Sequence, residues 1–397
     1  MIKIKHLRNN LLKKNINFYI FFILIISSLN ILTHFIEKKI LGNFTIFGDF
    51  LVYRCAGIKF LNNDSPYGIN KLQDCLNSYP NSLDFFYPPI TLKIFSLFGY
   101  LNLNLSLWIW SILIFSSILS IIFISYKFFS KNNSIFIVLL IFFFSFGGLN
   151  WTGLITVNIS IIIYGLISLG IFYLSKKKNN YFYFIIILCS IIKPTYFIFA
   201  ILPFFISQSI SIKELYKITI SLFALLAIYL YSYLNTPILF SDFLNHLQYG
   251  RSEEFKNIFG QGFGLFSLIN SFSSFTIEIL KLKVNIDAFS NIIWISIILL
   301  FISYSLLLQN KREFLTFNQR IAYGISVITL CYPLLKHYEC FLIVPCLYFL
   351  INNYKKNFKY LLIIFMFSVH DKYAVLFILI ISFVCEILFI KKRDYTV

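Results

Sequence analysis

The chain has 397 residues, of which 59% are hydrophobic and 13% charged, with a mean hydropathy of +0.80, and this composition excludes an ordinary soluble domain. Its net charge of +18 is dispersed as short Lys and Arg clusters beside apolar runs. That is the pattern of an orientation signal and not of a phosphate-tracking stripe, which excludes nucleic acid as a partner.

A basic stretch, Lys3 to Lys14, leads into the first apolar run, 17–35. No small-residue cleavage site follows Asn30, so the run reads as a retained first helix and not as a signal peptide. Runs near the spanning length of about 20 residues recur at 105–126, 133–149, 152–174, 216–234, 288–308 and 373–390. The run 181–211 is too long for one helix. Lys193-Pro194 interrupts it, and because Pro cannot continue the helical hydrogen-bond ladder, two short helices are predicted, 181–192 and 195–211. The run 320–352 divides in the same way at Lys336-His337-Tyr338-Glu339, and 358–370 completes the set. Segment 89–101 follows Tyr87-Pro88-Pro89, carries Lys93 and is too short to span, so it is predicted as an interfacial helix.

These elements predict an all-α polytopic membrane protein with about twelve transmembrane helices. Residues 1–397 form one domain in this reading. Both termini are then cytoplasmic, with the clusters Lys127 to Lys131, Lys176 to Lys178, Lys311 to Arg320, Lys355 to Lys359 and Lys391 to Arg393. Two long outer loops follow, 36–104 and 235–287. The second contains Gly260-Gln261-Gly262 and an apolar piece, 263–270, that dips toward the membrane.

The outer gaps hold the chemistry: Gly48-Asp49, Lys193-Pro194-Thr195, Arg251 to Glu254, His337-Tyr338-Glu339 and His370-Asp371. Asp49 lies roughly a dozen residues past the first helix, backed by Phe47, Phe50 and Tyr53. An acid in such surroundings gains proton affinity and suits a general base; on spacing alone a helix N-cap is the better fit. Lys193 lies inside an apolar run, where a charge is costly and marks a functional candidate. It reads either as an anchor for an anionic group or as a snorkelling side chain. The His337 and His370 tripeptide and dipeptide read as phosphate or hydroxyl contacts or as plain polar loop tips. Cys55 and Cys75 share the first outer loop and stand open between a disulfide and two free thiols. No metal-ligand spacing, Gly-rich phosphate loop or nucleophile elbow is present, so no metal or cofactor is expected.

Taken in order, these residues carry a resemblance. Asp49-Phe50 with Tyr53 and Ala56-Gly57, then Ser65-Pro66-Tyr67-Gly68, Tyr87-Pro88-Pro89, Asn158, Ile192-Lys193-Pro194-Thr195 and His337-Tyr338 resemble the polyprenol-phosphate-mannose-dependent α-(1→2)-mannosyltransferase-like family of integral membrane glycosyltransferases. The resemblance implies a GT-C fold in the cell membrane and a polyprenyl-phosphate hexose donor used on the outer face. It implies a lipid-linked or glycan acceptor, and it makes Asp49 the catalytic acid residue. Lys193, Arg251 and His337 are then expected at the donor phosphate, with Tyr53, Tyr67, Tyr87, Tyr338 and Asn158 against the substrates. The rival readings are a lipid-sugar flippase and a polysaccharide polymerase or ligase. A flippase favours ionisable groups near mid-membrane, where only Glu386 and Lys193 qualify. A polymerase favours more cations on the outer face, where the arginines are Arg54 and Arg251.

Overall fold

The computed structural model describes residues 46–76, 84–130, 135–207, 211–250, 265–280, 286–310, 316–332, 335–352 and 356–368, with single helical positions between 25 and 36 and between 375 and 381. The first apolar run in most of its length, residues 251–264 with Arg251, His370-Asp371 and most of 373–390 lie outside the described residues. Among the described residues every regular element is helical and none is a strand.

In chain order the helices are α1 Gly48–Leu61, α2 Gln73–Leu76, α3 Leu92–Tyr100, α4 Leu103–Ile124, α5 Ile135–Phe144, α6 Trp151–Thr156, α7 Ile159–Ser175 and α8 Asn179–Ile192. They continue as α9 Leu202–Ile206, α10 Ile212–Asn235, α11 Pro237–Tyr249, α12 Leu265–Leu280, α13 Ile286–Asn310, α14 Phe317–Leu330, α15 Ile343–Ile351 and α16 Lys356–Ser368.

Among the described residues two stretches are long and apolar enough to cross a membrane, α4 with its continuation to Phe129, and α10. Along α4, Trp108, Ile112, Phe115, Leu119 and Phe123 form an exposed row at helical spacing. Such a row is an association hazard in water and the normal surface of a helix in lipid. The shorter apolar helices α7 and α8 bury a larger share of their residues and contribute more of the interior.

Three expectations are corrected. Run 152–174 is not one helix: it breaks at Val157 and Asn158 into α6 and α7. Val157 takes a left-handed conformation, φ 50°, which is strained for a β-branched residue. Its carbonyl is held by the Trp110 indole N–H at 2.9 Å, and the Asn158 side chain caps α7 by accepting from Ser160 N–H at 2.8 Å. Hydropathy sees none of these bonds. Segment 195–211 is likewise not a plain helix; Pro194 opens a 3₁₀ stretch to Ile201, and Pro203 lies in the first turn of the short α9. The third concerns the cysteines: Cys55 and Cys75 are joined as a disulfide, with Cα atoms 5.7 Å apart, so the free-thiol reading falls. The break between α14 and α15, and the helix predicted over 89–101, stand as expected.

Helix α1 is laid across α3 at backbone contact. A Cβ at Gly57 would overlap the Phe95 carbonyl, and a Cβ at Gly99 would lie 2.8 Å from Ile58 N. Close crossing of this kind needs small residues. It brings Tyr53 onto Phe95 (ring centroids 5.0 Å, stacked) and Phe50 and Phe98 onto Trp110. The same indole holds the α6–α7 break, so one aromatic cluster sets both α1 and the break against each other.

Candidate active site

Phe47 opens α1 in a left-handed conformation, φ 62°, and its N–H donates to the Ile155 carbonyl at 3.0 Å. That bond ties the start of α1 to the end of α6. Asp49 follows in the first turn, where the helix dipole favours a carboxylate. It caps nothing: the helix has no side-chain N-cap. Its Oδ2 instead accepts from Asn158 Nδ2 at 2.8 Å, a contact made across 109 residues. The Asn158 amide is therefore held at both ends, its oxygen on the helix cap and its nitrogen on Asp49, with one N–H still free of these two bonds. The Thr156 hydroxyl also reaches Asp49, sharing its one proton with the Thr152 carbonyl at 3.0 Å. Burial raises the Asp49 carboxyl above the usual carboxylate range. The Thr156 and Asn158 hydrogen bonds and the charge of Lys336 pull part of that back. The result is a half-buried acid with raised proton affinity, held in one orientation.

Tyr53, one turn further along α1, pairs its hydroxyl with that of Tyr87 at 3.1 Å and accepts from Ile159 N–H at 3.4 Å. Tyr67 donates to the Tyr87 carbonyl at 2.8 Å. Three of the expected tyrosines thus form one connected wall beside Asp49. Tyr338 packs against Gly153 of α6 and lies within electrostatic reach of Asp49 and Tyr87.

Lys193 occupies the break after α8. Its ammonium is ion-paired to Glu339, whose side chain is fully buried, and lies over the rings of Tyr196 and Tyr332 at 5.6 Å each. The other Glu339 oxygen accepts from the Lys336 backbone N–H at 3.0 Å. One carboxylate therefore fastens the 336–339 turn to the α8 break. His337 lies in that turn's single 3₁₀ turn. From the sequence Lys336 was read only as part of the break in the run 320–352, and Glu339 only within the His337-Tyr338-Glu339 tripeptide, with no role of its own. The signal was available in part, as an acid and a lysine three apart at an expected turn. The partner Lys193, 146 residues away, was not.

The arrangement places an oriented carboxylate of raised proton affinity within electrostatic reach of Lys336 and of the Tyr53 and Tyr87 hydroxyls. That set suits activation of a hydroxyl nucleophile against a substrate bearing an anionic leaving group.

Residues 85–333 match the model of glycosyltransferase family 87. The match takes in Tyr87, Asn158 and Lys193, while Asp49, Tyr53, Tyr67, Lys336 and Tyr338 flank it. No curated protein and no solved structure matches the chain. Since the family model covers more than half of the chain, from the tyrosine wall through the α6–α7 break to the far side of α14, the protein belongs to glycosyltransferase family 87.

Proposed function

We propose that this glycosyltransferase moves a hexose, mannose-like, from a polyprenyl-phosphate donor to a lipid-linked or glycan acceptor on the extracytoplasmic face of the cell membrane. The observation that carries the reading is the Asp49 carboxylate, raised in proton affinity and aligned by Asn158 within electrostatic reach of a lysine. In this mechanism Asp49 takes the proton of the acceptor hydroxyl. That oxygen bonds to the anomeric carbon as the carbon–phosphate-oxygen bond breaks, and the bonding pair leaves with the polyprenyl phosphate. Cations meet the charge that appears there, so a second carboxylate acting as acid is unnecessary. Lys193, Arg251 and His337 are the proposed phosphate contacts. Tyr53, Tyr67, Tyr87, Tyr338 and Asn158 are the proposed substrate contacts.

The sidedness rests on two independent supports. Basic clusters mark the opposite side as cytoplasmic, and the Cys55–Cys75 disulfide fits an oxidising compartment. Both termini inside and about twelve spans follow from the same charge alternation.

Purified protein in liposomes loaded with a panel of polyprenyl-phosphate hexoses tests the reading. Consumption of one donor with release of polyprenyl phosphate supports it. Movement of an intact lipid-sugar across the bilayer identifies a flippase instead, and a requirement for a lipid-diphosphate oligosaccharide identifies a polymerase or ligase.

A further inference from the structure

The proposed site contains two lysines and two acids that are not equivalent. Lys193 has a counter-ion in Glu339 and two aromatic faces around it. Among the described residues Lys336 has no such ion pair; its side chain is half-buried and lies within electrostatic reach of Lys193, Glu339 and Asp49. Burial and the like charge of Lys193 disfavour its ammonium form and outweigh the support it draws from the charges of Glu339 and Asp49, so its proton is held less firmly than usual. A partly dehydrated cation without a direct ion pair is costly to keep. An anionic ligand beside it would relieve that cost.

Glu339 explains how the cation is held there. Its two oxygens are divided between Lys193 and the backbone N–H of Lys336, so it fixes the turn by direct bonds and reaches the Lys336 ammonium only through its charge. The 336–339 turn also meets α6 through Tyr338, and α6 ends at Thr156 on Asp49. The turn and the acid thus share one support.

We propose that Lys336 is the cation that meets the charge on the departing lipid phosphate, and that Glu339 is its positioning residue, taking Lys193 as counter-ion while fixing the 336–339 turn. The inference rests on the lipid-phosphate reading above and adds two residues to it. In the transfer step the donor phosphodiester, with one negative charge, becomes a monoester with two. The additional charge appears on the oxygen that leaves the anomeric carbon, and Lys336 is placed to meet it. The acceptor proton goes to Asp49, so the balance is complete without a further reactant.

Binding of polyprenyl monophosphate, the leaving group itself, to detergent-solubilised full-length protein tests this without knowledge of the sugar. Neutral polyprenol serves as control. Lys336→Gln should weaken phosphate binding by about tenfold or more, as loss of one charged contact does. Polyprenol binding should be unchanged, and Lys336→Arg should restore most of the loss. Glu339→Gln separates positioning from charge. If Glu339 merely added negative charge, its removal would tighten phosphate binding. As a positioning residue, its removal weakens binding. Should Lys336→Gln fail to accumulate, the sign of the Glu339→Gln effect decides the matter. Wild-type strength in Lys336→Gln, or tighter binding in Glu339→Gln, overturns the inference while leaving the donor reading in place. If the wild-type protein prefers polyprenol to its phosphate, the donor reading itself falls.

Discussion

The segment from Phe47 to Tyr87 holds two dehydrated carboxylates with different surroundings. Asp49 is half-buried, accepts from Asn158, is reached by Thr156, and feels the charge of Lys336. Asp84 is half-buried too, with its side chain 4% exposed, and faces His246 of α11, whose Nε2 is 3.9 Å away. That imidazole is itself 2% exposed and stacked under Phe86 at 4.4 Å, and its Nε2 makes no hydrogen bond among the described residues. Burial raises both acids, Asp84 to about 6. What separates them is their partners. Asp49 has side-chain donors and a nearby cation on other elements, while Asp84 has the Asn70 backbone and a neutral ring, since burial lowers His246 to about 4. A raised proton affinity by itself therefore does not mark a catalytic acid; the charges around it do.

The largest expected effect tests that distinction directly. Asp49→Asn keeps shape and loses basicity, so sugar transfer should fall by about 10² or more, the usual range for a general base. Asp84→Asn should leave transfer within about threefold, as changes away from reacting atoms usually do. Equal amounts of each variant in membranes, assayed for transfer, check both, and similar losses for the two would erase the contrast.

An intermediate effect sharpens it. Asn158→Ser keeps a good cap for α7 but gives up the donation to Asp49. A hydrogen bond to a charged group is worth roughly 1.5 kcal/mol or more, so turnover should drop by about tenfold. Transfer requires ionised Asp49, so the rate declines as pH falls through its raised pKa. Losing a bond that favours the ionised form moves this acid limb to higher pH. A pH–rate profile with an unmoved limb would show that Asn158 serves only as a cap.

The smallest effect concerns stability. The proton affinity of Asp84 is higher folded than unfolded, so its contribution falls as pH rises from about 4 to about 6. That of His246 is lower folded than unfolded, so its contribution rises between about 4 and 6.5. The two slopes oppose, and the wild-type pair should be nearly flat across this window. His246→Phe keeps the ring stack and leaves the Asp84 slope, so the melting temperature should decline as pH rises from about 4 to 6. Asp84→Asn should reverse that sign. Thermal unfolding in detergent at several pH values reads both.

Much of this contrast was legible in the residues, and some was not. Asp49 stood out because few acids follow the first helix, and Lys193-Pro194 because Pro must interrupt an apolar helix. The α6–α7 break was hidden, since 152–174 is continuously apolar and the bonds that break it come from Trp110 and Asn158. Asp84 with His246, and Glu339 with Lys193, join residues distant along the chain, and a single sequence carries no trace of such pairing. The alternative of Asp49 as a helix cap was a local inference, and the structure shows a tertiary contact to Asn158 in its place.

The disulfide has a consequence for how the protein is made. Cys55 and Cys75 close a ring around the turn that carries Tyr67, and α1, which carries Asp49, forms one side of that ring. For a loop of this length the bond restricts the unfolded chain by about 3 kcal/mol in the chain-entropy picture. On the outer-face reading, the ribosome and the insertion machinery deliver an arm that is still slack. It is finished only after translocation, by an oxidant the cytoplasm does not supply. Maturation of the catalytic arm would then be divided between two compartments. Protein held on the cytoplasmic side would carry the right sequence without this clamp, so catalytic competence would coincide with arrival where the substrates are.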